Sequence, residues 1–159
     1  MLNKLTAILF ALVFLAACQT KPVDGSGAGA GGAGEAGVIV PGSQQDLEAN
    51  VGDRVFFEFD SSVLTAEAQA TLTRQANWLK ANPSVAVTVE GHADERGTRE
   101  YNLGLGERRA NAAKNFLVSA GVEASRVSTI SYGKERPAVV GSGEEVWSQN
   151  RRSVTVVNQ

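Results

Sequence analysis

Residues 91–110 read GHADERGTREYNLGLGERRA. The first part, GHADERG, carries turn chemistry, and from about Asn102 a helical pattern runs to Ala120, where Gly121 supplies a stop. With Leu105 at zero and an advance of about 100° per residue, Arg109 falls at about 40°, between Phe116 at about 20° and Ala120 at about 60°. Ala112 and Ala113 flank this stripe, while Glu107, Asn111 and Lys114 lie on the far side. A cation therefore sits on the face that should turn inward. An isolated buried charge is too costly to persist, so Arg109 needs a partner or a ligand.

The segments on either side supply the frame. Before the quoted stretch, DRVFFEF (residues 53–59) alternates, with Val55, Phe57 and Phe59 on one face and Arg54 and Glu58 on the other. A helix follows, with Thr65 as N-cap, Ala68, Leu72, Ala76 and Leu79 on one side, and Asn82-Pro83 as its end. VAVTVEG then alternates through Val85, Val87 and Val89. Beyond the second helix, RVSTISYG and RSVTVV read as strands, joined by a loop with Pro137, Gly141 and Gly143. The order β-α-β-α-β-β predicts an α+β domain, a mixed four-stranded sheet with two main helices on one face.

Upstream of this domain the composition changes twice. Lys4 is followed by a short apolar run, LTAILFALVFLAAC, shorter than the roughly 20 residues that cross a bilayer, which is the layout of a secretory signal. Its end, Leu15-Ala16-Ala17-Cys18, resembles a bacterial lipobox. That resemblance implies cleavage before Cys18 and diacylglyceryl and N-acyl modification of its sulfur and amine. Gln19 follows, where in such lipoproteins an Asp favours the inner membrane, so export to the outer membrane is compatible with this chain. Residues 24–37, DGSGAGAGGAGEAG, hold no large apolar side chain and cannot repay the entropy of ordering. Roughly 30 residues of such tether span about 30 Å in root-mean-square terms. The expected organisation is a signal peptide over 1–17, a lipidated N-terminus and flexible tether over 18–50, and a compact domain over 51–159.

Charge and cysteine content exclude some classes. The net charge of −2 and the scattered Lys and Arg of this 159-residue chain give no nucleic-acid footprint. Cys18 is the single cysteine, so an intrachain disulfide is impossible.

FEFDSS (57–62), VEGHADERGTREYNLGLGERRA (89–110), ISYGKERPAV (130–139) and NRRSV (150–154) occur in this order. With the lipobox and the Gly-rich tether they closely resemble the peptidoglycan-associated lipoprotein (Pal) family of Gram-negative bacteria. The C-terminal part is similar to the OmpA-like peptidoglycan-binding domain. Lys134 and Ser153 depart from the usual pattern, where an acidic and a small apolar residue are common; neither lies in the binding motif.

The resemblance implies non-covalent binding of stem peptides containing meso-diaminopimelate and membership of the Tol–Pal system, with TolB as a periplasmic partner. It implies that Asp94 and Arg109 grip the diaminopimelate and that Phe59, Asp60, Arg96 and Leu105 line the pocket. The chemistry is consistent with this, because the free end of meso-diaminopimelate carries both an ammonium and a carboxylate. One anion and one planar, forked cation that stays charged would meet that pair. Gly91 and Gly97 would let the loop turn, and Asn102 would cap the helix and hold the loop. Arg109→Ala need not unfold the domain if the empty site is solvated. From spacing alone, a ligand-free salt bridge between Arg109 and Asp94 is an equal alternative.

Other residues carry weaker signals. His92, the single histidine, with Glu90 and Asp94 is too poor a set for zinc and reads as a loop or packing residue. Glu90 and Asp94 could be a hydrolase pair, but nothing supplies a nucleophile or oxyanion site. The expectation is therefore a tethering protein with neither cofactor nor catalysis. A peptidoglycan hydrolase and a pure TolB scaffold are the alternatives. Trp78 reads as helix-edge packing and Arg151-Arg152 as a solvated pair; Trp147 stays unassigned.

Overall fold

The computed structural model describes residues 39–158. The signal peptide, Cys18, Gln19 and the Gly-rich tether lie outside the described residues. Among the described residues, β1 (Arg54–Phe56), β2 (Val87–His92), β3 (Val127–Gly133) and β4 (Arg152–Val157) form one sheet in the order β1-β4-β2-β3. β2 and β3 are parallel, whereas β4 runs antiparallel to both β1 and β2. The long helices α2 (Ala66–Ala81) and α3 (Arg99–Ser119) share a core with the sheet, α3 over β2 and β3 and α2 toward β1. This is the α+β architecture expected from the periodicities.

Local chemistry explains each helix boundary. Thr65 Oγ1 accepts from the Ala68 amide at 3.2 Å and starts α2, which buries Ala68, Leu72, Ala76 and Leu79. α3 starts earlier than expected. Thr98, not Asn102, is its N-cap, with Oγ1 accepting from the Tyr101 amide at 3.2 Å. Asn102 instead falls in the first turn and is buried. Gly121, at φ +96°, ends α3 as expected. Its amide bonds Val118 O while the Val122 amide bonds Leu117 O, the paired closure of a Schellman motif, with Leu117 and Val122 both in the core.

The close approach of α3 to the sheet occurs where both backbones lack side chains. A Cβ on Gly91 would lie 1.8 Å from Gly106 O, so the helix rests directly on β2. Gly91 therefore serves helix–strand contact rather than the loop turn expected of it. Gly97 does occupy the left-handed region, at φ +89°.

Further expectations need correction. The first strand was expected to reach Phe59 but ends at Phe56, because the chain leaves the sheet and reverses at Asp60, at φ +52°. Phe57 stays in the core, whereas Phe59 turns out and is 58% exposed. The connection between β3 and β4 contains a further helix, α4 (Glu144–Asn150), whose two leading glutamates suit a helix N-terminus.

The compact unit also begins before residue 51. A short helix α1 (Gln44–Asp46), capped by Ser43, continues as a π-turn through Leu47–Val51. Leu47 is fully buried, Asp46 Oδ2 accepts from Trp78 Nε1 at 2.8 Å, and Gln44 Oε1 accepts from the Val157 amide at 2.8 Å. Trp78 is thus core packing with a satisfied indole N–H. Leu47→Ala should cost about 2–5 kcal/mol, measured by urea denaturation of the full chain. A change below about 0.5 kcal/mol would mean that residues 43–51 are an appendage.

Candidate functional site

Phe59, Asp60, Asp94, Arg96, Leu105 and Arg109, the six residues singled out in the sequence, line one cavity of about 150 Å³. Gly97, Tyr101 and Asn102 complete its wall, whereas Gly91 does not reach it. The residues come from three places: the β1–α2 loop, the β2–α3 loop and the first three turns of α3.

Arg109 is fully buried, and its partners are not the expected ones. Nε donates to Ser61 O at 2.8 Å, Nη1 to His92 O at 2.8 Å and Nη2 to Glu58 O at 3.1 Å. Two of these carbonyls belong to the β1–α2 loop and one to the end of β2. Among the described residues no carboxylate lies within ion-pair distance of it, so the alternative of an Asp94–Arg109 salt bridge is absent. Burial lowers its pKa to about 10, with Asp94 opposing the shift, and it remains a cation at neutral pH. A guanidinium has five N–H donors, so two beyond these three bonds remain for a ligand. The condition under which Arg109→Ala would leave the fold intact, a solvated guanidinium, is not met. Truncation would take the guanidinium donor from three carbonyls, of which Glu58 O keeps the Ser61 amide at 3.3 Å.

Asp94, also buried, is paired within its own loop. Arg96 donates to Oδ1 from Nε at 3.2 Å and from its amide at 3.1 Å, and to Oδ2 from Nη2 at 2.6 Å. Arg151 Nη1 stands 3.5 Å from Oδ2. Burial pushes the carboxyl pKa up, but the hydrogen bonds from Arg96 and the two guanidinium charges outweigh it and hold it below the usual value. The Arg96 guanidinium in turn lies 3.9 Å from the centre of the Phe59 ring and 4.0 Å from that of Trp147.

The supporting contacts are local. Asn102 Nδ2 donates to Arg96 O at 2.7 Å and Thr98 O at 3.0 Å, so it holds the loop without capping the helix. Lys134 Nζ donates to Glu95 O at 3.1 Å and Gly97 O at 2.6 Å, a use for this departure from the family pattern. The Tyr101 hydroxyl bonds Asp60 Oδ1 across the cavity mouth.

Arg151 and Trp147, whose roles the sequence did not reveal, belong to this neighbourhood. Arg151 and Arg152 are buried, not solvated as expected. Arg151 bridges Phe57 O, Glu144 and Asp94, while Arg152 donates to Asn150 O and Arg136 O. No pattern along the chain marks this, because a pair of arginines at a strand start is ordinarily at the surface. Trp147 sits on α4 with Nε1 donating to Glu95 Oε1 at 2.9 Å.

His92 is a buried packing residue beside Tyr132, the ring centres 5.6 Å apart and the planes tilted by 32°. Among the described residues its ring nitrogens have no hydrogen-bond partner, Glu90 standing 3.5 Å away. Among the described residues no group of three His, Cys, Asp or Glu side chains could hold a metal. Glu90 does not line the cavity with Asp94, so the two do not form a hydrolase pair across it.

Comparison with known proteins follows the same lines. The OmpA family model matches residues 56–151. A peptidoglycan-associated lipoprotein of Agrobacterium fabrum is 59% identical over 143 residues, covering 90% of this chain and 81% of that protein. One from Brucella melitensis is 55% identical over 150 residues, covering 94% and 89%. The crystal structure of the peptidoglycan-associated lipoprotein from Burkholderia pseudomallei matches with a TM-score of 0.65 and 40% identity, over 67% of this chain and 90% of that one. The C-terminal domain of Helicobacter pylori MotB shares the fold at 22% identity, TM-score 0.63, over 67% and 84%.

Burial, then the charges of Arg152 and Arg136, lowers the His92 pKa from 6.5 to about 4. The unfolded chain therefore binds a proton that the folded one refuses between these values, and stability falls as pH drops through that window. Wild type should lose stability relative to His92→Gln from about pH 6.5 to about pH 4 and hold a constant difference above it. Urea melts across pH would read this, and a pH-independent difference would show that the imidazole is not kept neutral.

Proposed function

The chain belongs to the OmpA family, among its peptidoglycan-associated lipoproteins, and on that premise we propose that its cavity binds the meso-diaminopimelate of peptidoglycan stem peptides. The observation that carries the reading is a buried guanidinium with two uncommitted N–H groups lining the same small cavity as a buried carboxylate. Arg109 would receive the ligand carboxylate and Asp94 the ammonium, beside Arg96. Leu105 and Phe59 would cover the methylene chain between the two charged ends. Nothing in this requires a bond to be made or broken, so the role is binding, not catalysis.

In the same reading the domain is the wall-binding end of a tether. The lipid on Cys18 would hold the outer membrane and the Gly-rich segment would set the reach between membrane and wall. TolB and the other Tol proteins would be its periplasmic partners, in a system that keeps the envelope intact during division.

The ligand rather than the protein provides the cleaner test, because Arg109 also holds the fold. In calorimetry with the full chain in detergent, a meso-diaminopimelate stem peptide should bind. Amidating its diaminopimelate carboxylate should weaken binding tenfold or more, since a charge-assisted contact contributes about 1.5–3 kcal/mol. Asp94→Asn should weaken the unmodified peptide by a similar factor, and Arg109→Lys should fail too, because a point charge does not reproduce a fork. Equal affinity for both peptides would place the carboxylate site elsewhere. Muropeptides released from purified sacculi would instead favour a hydrolase.

Attachment is tested separately. Cys18→Ser should leave the domain folded and move the protein from the membrane fraction to the soluble periplasm. Quantitative retention in outer membranes would overturn a single lipid anchor.

A further inference from the structure

Trp147 lies outside the cavity, yet it contacts the β2–α3 loop twice. Its ring forms one side of the stack around the Arg96 guanidinium, and its Nε1 donates to Glu95 Oε1 at 2.9 Å. Ser142 Oγ donates to the same oxygen at 2.6 Å. The helix that carries Trp147 is itself pinned at both ends. Glu144 receives Arg151, and Asn150 Oδ1 accepts from the amides of Ala138 and Val139 at 2.7 and 3.1 Å.

We infer that Trp147 is a positioning residue of the cavity, acting through Arg96; this rests on the function proposed above. An arginine side chain has large rotamer freedom, and a two-pronged contact forms only when its plane is set. Phe59, the other face of the stack, is 58% exposed on a loop and is a poor clamp alone. Trp147 is the face anchored to a helix. Between the two rings the guanidinium is held with Nε and Nη2 directed at the two oxygens of Asp94. Removing Trp147 frees Arg96 to swing away, which loosens Asp94 and opens one wall of the cavity. α4 is then the fourth segment that builds the site, besides the β1–α2 loop, the β2–α3 loop and α3.

Trp147 is half-buried and outside the hydrophobic core, so Trp147→Leu should fold, and Trp147→Gln serves as a second truncation. With a meso-diaminopimelate stem peptide and the full chain in detergent, Trp147→Leu should bind about fivefold more weakly, the scale of one cation–π contact. Trp147→Phe keeps a ring face and should stay within about twofold of wild type. In an Arg96→Gln background, where Asp94 and Arg109 remain, Trp147→Leu should add nothing, because a residue acting through another shows full coupling. In the free protein, the upfield ring-current displacement of the Arg96 side-chain resonances should shrink in Trp147→Leu and persist in Trp147→Phe.

Unchanged affinity in Trp147→Leu, or the same loss with and without Arg96, overturns the inference. If wild type binds and discriminates against the amidated peptide while Trp147→Leu behaves as wild type, only this inference fails. If wild type does not bind the peptide at all, the proposed function falls and this inference with it.

Discussion

A buried guanidinium ties the chain reversal between β1 and α2 to the end of β2. Arg109 reaches out of α3 and donates to Glu58 O, Ser61 O and His92 O, which no neighbouring strand could satisfy at that point. The β1–α2 loop is shaped by those bonds. It leaves the sheet after Phe56, turns at Asp60 and presents Phe59 to solvent because its carbonyls are directed inward to a cation. Three carbonyl dipoles stand where a buried arginine ordinarily has a carboxylate; burial holds its pKa down to about 10, with the charges of Asp94 and Asp60 opposing. Among the described residues no carboxylate lies within ion-pair distance of it, and the carboxylate end of the proposed ligand would supply one.

The depth of Arg109 depends on a contact without side chains. Gly91 and Gly106 bring helix and strand backbone together, three residues before the arginine. Ser131 fits the same gap, its Oγ bonding Leu103 O at 2.6 Å. Were the helix held off by a methyl group on either glycine, the guanidinium would no longer meet carbonyls on two separate segments at once. Cavity geometry and helix–sheet packing are thus one constraint, and a substitution of Arg109 alters both.

Around this anchor the charges are layered. Asp94 is shared between Arg96 and Arg151, Arg151 continues to Glu144, and Arg96 is held between two rings. An ammonium entering the cavity would join a carboxylate already partly neutralised, so its contribution rests on geometry and on exclusion of water more than on raw charge. The surrounding hydrogen bonds from Asn102 and Lys134 keep the β2–α3 loop in one shape before any ligand arrives, which lowers the ordering cost of binding.

Periodicity was enough for the two long helices, the inner strands and the α+β class, because burial of one face per element repeats along the chain. The six cavity residues were legible through family motifs, and Arg109 also through its place on an apolar stripe. Long-range partners were not. Spacing alone leaves an Asp94–Arg109 salt bridge and a shared ligand as equal alternatives, whereas folding gives Asp94 to Arg96 and Arg151 and gives Arg109 to backbone carbonyls 17 to 51 residues away. α1, α4 and the burial of Arg151 and Arg152 were likewise invisible. Their stabilising contacts are with distant segments, such as Asp46 with Trp78, and so leave no repeat in the local sequence. What the sequence by itself determined is which faces turn inward and which residue types carry the chemistry. Only the tertiary structure decided which donor meets which acceptor, because a carbonyl carries no mark in the sequence until the fold brings a cation to it.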